Sequence, residues 1–328
     1  MQIPAHINTS GIFKCIDKDL SRVKTLLAEQ INSCPEKVGV DELLQYTGSY
    51  HGKMLRPALV LLSGSACGKL SDSHIDVAAV IELIHNSTLL HDDVIDEGKT
   101  RRGVPTINAI WGNELAVLLG DFMLSRVFGM CAQLPSRAVQ VISAGTSRVC
   151  EGELRQMIQK RDWKLSEIEY VDIITDKSAS LFSMACKLGA VLSDADEKKI
   201  RSLTNYGLNL GIAFQITDDL LDITGSESEA GKTLGSDAEA RKPTLPVIHL
   251  LKALNDDERK EVVEKLNDRQ AGKRDVFQLL EKAGSLDYAR NKADEFIAQA
   301  NDSLEGLDES KFKDALIKTA EYVLARIN

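Results

Sequence analysis

The stretch VAAVIELIHNSTLLHDDVIDEGKTRRG, residues 77–103, changes character halfway along. Its first part is apolar on nearly every side and shows little sign of a water-facing stripe, which is the pattern of a buried helix. Its end is acidic. Asp92 and Asp96 stand four residues apart and share a helical face, with Asp93 roughly 100° round from Asp92. A pair of carboxylates is ordinarily a solvated surface. At the end of a buried helix, however, like charges need a cation. Oxygen donors without Cys or a second imidazole favour a hard ion such as Mg²⁺, which keeps several waters and is commonly shared with substrate phosphates.

A second copy closes the apolar run GIAFQITDDLLDITG, residues 211–225, where Asp218, Asp219 and Asp222 repeat the spacing. One DDxxD is a weak signal and two, each ending an apolar helix, are a strong one. Facing each other across a bundle cavity, six carboxylates would hold a small cluster of divalent ions. Such a cluster binds a strong anion, and the basic residues suggest which. Lys53 and Arg56 in HGKMLRP, Arg101 and Arg102 after the first motif, Lys177 in TDKSASLF, and Lys232 and Lys242 in GKTLGSDAEARKPTLP suit a diphosphate. Guanidinium forks match its oxygens and lysine supplies a point charge.

With GKMLRP, LLHDDVIDEGKTRRG, GELRQ, KSASLF, FQITDDLLD and GKTLGSDAEARKPTLP in this order, the sequence resembles the trans-isoprenyl diphosphate synthases, and among them the longer-chain, octaprenyl-like polyprenyl diphosphate synthases. The motif core runs from about 46 to 250. The resemblance implies an all-α, single-domain helical bundle over residues 1–328 with a central substrate cavity. It implies condensation of isopentenyl diphosphate with an allylic diphosphate, such as the farnesyl or geranylgeranyl ester, to an all-trans product longer than twenty carbons. Metal ligands would be Asp92, Asp96 and Asp218, with Asp93, Asp219 and Asp222 as further or water-mediated ones, around three Mg²⁺ ions with the allylic diphosphate bound. Arg101, Lys177 and Lys232 would grip that diphosphate, with Lys242 and Gln215 near it. Lys53, Arg56, His85 and Arg102 would hold isopentenyl diphosphate without metal. His91 reads as structural, Gln156 as an amide near the allylic end, and no residue as a general base, so the released diphosphate takes the final proton.

The resemblance further implies that product length depends on Ser87 and Thr88, five and four residues before the first aspartate, where bulky aromatics would stop the chain early. Ser87, Ile84 and Ile81 form a ridge running down from the metals. The floor is expected from a neighbouring helix, at Phe122 or Phe128. Departures from the family pattern are few: before Lys242 stands Arg241 where the resemblance implies Gly, with Pro243 directly after, which bears on the path of that loop and on the role of Lys242.

Composition fits a helical enzyme. Seven prolines, no linker-like shift and no series of alternating strands favour one helical domain. SDADEKK, from Ser193, reads as a helix start with an acidic first turn. A net charge of −9 argues against nucleic acid. Six cysteines without CxxC spacing read as reduced thiols of a cytoplasmic protein. No run reaches the ~20 apolar residues of a membrane span, although a lipid-like product allows loose membrane-surface contact. The resemblance also implies a homodimer. Four rival readings stand beside it: a short-chain geranylgeranyl diphosphate synthase, a class I terpene cyclase, a non-catalytic subunit of a heteromeric synthase, and a metal-dependent phosphohydrolase. Lys53, Arg56, His85 and Arg102 count against the cyclase, and two intact motifs against the non-catalytic subunit.

Overall fold

The computed structural model describes residues 9–32, 41–47, 52–101, 103–160, 162–224, 242–267 and 273–327. Within these the chain is all-α. Helices α1 (Thr9–Ile12), α2 (Asp17–Asn32), α3 (Asp41–Thr47), α4 (Leu55–Cys67) and α5 (Asp72–Ile95) lead to a two-residue antiparallel hairpin, Thr100–Arg101 against Val104–Pro105. Helices α6 (Ile107–Trp111), α7 (Asn113–Cys131), α8 (Ser136–Gln159), α9 (Glu167–Ile174), α10 (Ser180–Leu192) and α11 (Glu197–Thr224) follow. Helices α12 (Leu245–Ala253), α13 (Asp256–Asn267), α14 (Lys273–Lys282), α15 (Ser285–Ser303) and α16 (Lys311–Leu324) complete the order.

The apolar pattern of the sequence explains the layering. Every residue from Val77 to Ile84 of α5 is buried, Glu82 included, so α5 runs through the interior rather than along a face. Leu55 to Gly64 of α4 are buried apart from Arg56, and α10 is buried over nearly its whole length. Helix α10 packs on α4, α5, α8 and α11, while α7 lies along α5 and α15 along α11. Leu59, Leu61, Leu62, Ile81, Leu83 and Phe182 lie in one apolar cluster, and Ile216, Leu220, Leu245 and Leu280 in a second.

Local signals set the helix ends. Asp196 accepts the backbone N–H of Lys199 at 2.8 Å and Glu197 opens α11, the acidic start expected from SDADEKK. At the end of α5, Glu97 takes a left-handed backbone (φ 53°) and Gly98 N–H returns to Asp93 O at 2.8 Å. A non-glycine residue in that region costs roughly 1–2 kcal/mol. The turn thereby sends the chain back past the acidic motif, so that Arg101 reaches it.

Between α9 and α10 the chain makes one π-helical turn, Thr175–Ala179, in which Ser180 N–H donates to Thr175 O. Turns of this kind insert one extra residue into a helix and are frequent at functional sites. Asp176 on the turn accepts from Arg148 (2.7 Å) and pairs with Arg155 (3.1 Å), both on α8. The next residue is Lys177.

Candidate active site

The carboxylates of the first motif have separate tasks. Asp93 is buried and receives Arg101 Nε at 2.9 and 3.1 Å and Arg101 Nη2 at 2.7 Å. Burial pushes its carboxyl above the ordinary range, against the pull of Arg101. Removing one partner of such a buried pair costs about 3–5 kcal/mol. Asp92 and Asp96 turn the other way. Asp92 Oδ2 lies 3.9 Å from Lys177 Nζ. Asp96 pairs with Lys242 Nζ at 2.7 Å and Lys160 Nζ at 3.5 Å. Burial alone would raise the Asp96 carboxyl, but Lys242, Lys177 and Lys160 together hold it below the usual carboxylate value.

Lys177 is positioned from α8. Its ammonium donates to Glu153 Oε2 and Gln156 Oε1, each at 2.8 Å. Burial and the charge of Asp92 push the Glu153 carboxyl upward, so Asp92, Glu153 and Lys177 form one interacting group. Gly152 permits the approach: a Cβ there would lie 2.3 Å from Lys177 N and 2.7 Å from its Cα.

In the second motif Asp219 is buried and doubly held, by Tyr170 Oη at 2.7 Å and Gln215 Nε2 at 2.9 Å. Ser178 Oγ, beside Lys177, donates to Gln215 Oε1 at 2.6 Å and ties the π turn to α11. Asp222 is buried. Asp218 pairs with Arg326 Nη2 at 2.7 Å, and that guanidinium lies 4.7 Å over the ring of Phe214.

Two adjoining cavities connect the motifs. One, about 550 Å³, is bordered by Tyr170, Gln215 and Asp219; the other, about 440 Å³, by Asp92, Asp96 and Glu153. Gln156, Lys160, Lys177 and Lys242 border both. The sequence-derived residues Asp92, Asp96, Lys177, Lys242, Gln215 and Asp219 are thus brought together. Among the described residues no three acidic, His or Cys side chains converge on a single point, so each motif presents its carboxylates separately.

Another basic group forms beside α4. Arg56 Nη1 and His85 Nε2 are 3.0 Å apart, and the Arg56 guanidinium lies 4.4 Å over Phe182, whose ring contacts Phe214. Lys53 Nζ donates to Tyr322 Oη of α16. Arg102 and Lys232, together with Arg241, lie outside the described residues.

The expected length-determining residues fall on a tight helix contact. Ser87 is buried and donates to Gly120 O of α7 at 3.0 Å, while Thr88 bonds back to His85 O at 2.8 Å. Ile84 is buried in the same core. A Cβ on Gly120 would meet His91 Nε2 at 2.3 Å, so His91 packs between the helices as a structural residue. Phe122 is half-buried against the core. Phe128 is 72% exposed, which corrects the expectation that it floors a cavity within this fold. An apolar residue on a helix otherwise rich in apolar residues gives no sequence sign of which way it faces.

Sequence reasoning set Gln156 near the allylic end but missed Glu153, which lies in the same GELRQ segment, together with Lys160, Tyr170, Tyr322 and Arg326.

The pattern that describes the family Polyprenyl synthetase matches residues 38–283. The octaprenyl diphosphate synthase of Haemophilus influenzae is 36% identical over 314 residues, 94% of each chain. The geranylgeranyl diphosphate synthase of Sulfolobus acidocaldarius is 36% identical over 79% of this chain and 83% of its own. The crystal structure of a polyprenyl synthase from Caulobacter crescentus, complexed with calcium and isoprenyl diphosphate, superimposes with a TM-score of 0.90 at 29% identity, covering 98% of both chains. With the aspartate motifs on adjoining cavities and the match spanning most of its length, this chain belongs to the polyprenyl synthetase family.

Proposed function

We propose that this chain condenses isopentenyl diphosphate with an allylic diphosphate to give an all-trans polyprenyl diphosphate longer than twenty carbons. The observation that carries the reading is the pair of adjoining cavities, bordered by carboxylates of both motifs and sharing three lysines. In the reaction the allylic C–O bond breaks with its electron pair leaving on diphosphate. The double bond of isopentenyl diphosphate attacks the resulting cation, and loss of a proton to the released diphosphate completes the cycle.

The donors fit hard divalent ions. Asp92, Asp96 and Asp218 carry only side-chain oxygens toward cations that an ion could replace, whereas Asp93 and Asp219 are committed to Arg101 and to Tyr170 with Gln215. Mg²⁺, with three ions in the loaded site, would supply charge neutralisation to the departing diphosphate. Lys177 and Lys242 then meet diphosphate oxygens, and Glu153 and Gln156 fix the direction of Lys177. Arg101 orders the motif through Asp93 from the chain that reverses at Glu97. Lys53, Arg56 and His85 hold the second diphosphate, with Tyr322 fixing Lys53 and the Phe182 ring backing Arg56.

Incubation with Mg²⁺, labelled isopentenyl diphosphate and farnesyl or geranylgeranyl diphosphate, with products resolved by length, tests activity and length together. Product no longer than twenty carbons would refute the length reading. Arg56→Ala is expected to raise the Michaelis constant for isopentenyl diphosphate at least tenfold more than that for the allylic substrate; Lys177→Ala does the reverse. Equal effects would show that the two sites are wrongly assigned.

The length reading rests on small side chains at Ser87 and Thr88. A ring placed there occupies space in a close-packed interior. Ser87→Phe and Thr88→Phe are expected to shorten the products while the first condensation, nearer the metals, survives. Because Ser87 sits against Gly120, Thr88→Phe is the milder of the two. Unchanged long products from an active Thr88→Phe variant would place the growing chain elsewhere.

A homodimer is the proposed assembly. Helix α7 exposes Leu115, Leu118 and Phe128, and α8 exposes Leu154 and Ile158, apolar surface of the kind interfaces cover. Light scattering at micromolar concentration should give twice the 36.0 kDa chain mass, and a single monomeric species would overturn this. No helix among the described residues is long and apolar enough to cross a membrane, and the described cysteines are free, in keeping with the proposed cytoplasmic setting.

A further inference from the structure

Lys160 stands just past the end of α8, outside every motif that pointed to the site. Glu153, Gln156 and Lys160 recur at spacings of three and four, so they share one helical face. The first two hold Lys177. Lys160 lies a turn further on, with its ammonium 3.5 Å from Asp96 Oδ1, its side chain one-fifth exposed, and both cavities against it. Neutralising Asp96 does not require it, because Lys242 already sits 2.7 Å from the other oxygen of that carboxylate. The 3.5 Å contact is long for a charge-assisted hydrogen bond, which usually falls at ~2.7–2.9 Å.

Charge balance gives the second argument. Around this cavity Asp92, Asp96 and Glu153 oppose Lys160, Lys177 and Lys242, three against three. Once divalent ions take Asp92 and Asp96, the three ammoniums face a site with excess positive charge. A multiply charged anion restores the balance. The compact ammonium on a flexible stem suits an oxygen of a diphosphate, which needs no fixed fork geometry.

We propose that Lys160 is a further diphosphate-binding residue of the allylic site, exchanging Asp96 for an oxygen of the leaving diphosphate when the carboxylate is taken by metal. This rests on the prenyl-transfer reading above. The ammonium stays protonated throughout, so the residue binds and orients without taking part in a proton transfer.

Calorimetry with inorganic pyrophosphate at saturating Mg²⁺, on the full chain, measures the site without turnover. Lys160→Gln is expected to weaken pyrophosphate about tenfold, and Lys160→Arg to restore most of the loss. In steady state Lys160→Gln should raise the Michaelis constant for the allylic diphosphate by a similar factor and leave that for isopentenyl diphosphate unchanged. If Lys160→Gln binds pyrophosphate as tightly as the parent chain and merely needs less Mg²⁺, Lys160 is only a counter-ion of Asp96 and the proposal is overturned. Failure of the underlying reading looks different: the parent chain itself then makes no prenyl product from the two diphosphates, and the assignment of Lys160 falls with it.

Discussion

Replacing Asp92 by Ala is expected to reduce turnover by at least a hundredfold at saturating Mg²⁺, with Asp218→Ala comparable. Each factor of ten corresponds to ~1.4 kcal/mol of lost transition-state stabilisation, and a metal-ligand carboxylate acts where the charge of the departing diphosphate develops. The fold should survive both changes. Asp92 interacts with Glu153, whose carboxyl its charge helps to push up, so Asp92→Ala relieves repulsion and should leave the melting temperature in metal-free buffer equal or higher. Asp218→Ala lacks that gain, because it strips Arg326 of its 2.7 Å partner. Near-normal turnover in either variant would sink the assignment of metal ligands, and unfolding of Asp92→Ala would show the motif to be structural.

Gly152→Val should be nearly as damaging by a different route. The glycine lies against the backbone of Lys177 and Asp176, where a Cβ would fall 2.3–2.8 Å from main-chain atoms. Backbone gives way less readily than a side-chain tip, and overpacking of this kind typically costs ~1–3 kcal/mol or more. Helix α8 and the π turn must separate, which moves Lys177 off Glu153 and Gln156 and breaks the clamp of Arg148 and Arg155 on Asp176. The expected result is a melting temperature lower by several degrees and an allylic Michaelis constant raised at least tenfold. Thermal melting with steady-state kinetics checks both, and a variant unchanged in both would mean that the close packing at Gly152 has no functional weight.

The two acidic motifs were legible because their information is local. Spacing along one helix places Asp92 beside Asp96 wherever that helix goes, and the surrounding apolar runs declare it buried. The division of labour within each motif was not legible. Whether Asp93 faces a metal or Arg101 depends on the reversal at Glu97, a left-handed residue with nothing in its type to mark it. Tyr170 meets Asp219 across 49 residues of sequence, and Arg326 reaches Asp218 from beyond α16; both contacts exist only once helices have packed. Lys160 sits in the run QKRDWK, which in one dimension is indistinguishable from a solvated helix end. Ser87 shows the same limit from the other side: its small size was apparent, but its bond to Gly120 was set by how closely α5 and α7 cross.

The single π turn at Thr175–Ala179 also governs phase. Because an α-helix advances about 100° per residue, the extra residue held in that turn decides which side of α10 points where for the rest of its length. Phe182 lies under Arg56, and Leu181, Ala185 and Leu188 fill the core, only at this rotational setting. Shortening the turn by one residue would leave composition and hydropathy almost untouched yet swing α10 by roughly a quarter of a revolution. Chain length is therefore not a free variable here. An alignment that places a gap within 175–179 would be pairing helices out of step, and a one-residue deletion would turn Phe182 away from Arg56 and pull Lys177 and Ser178 off Glu153, Gln156 and Gln215, although the aspartates of both motifs keep their own helices.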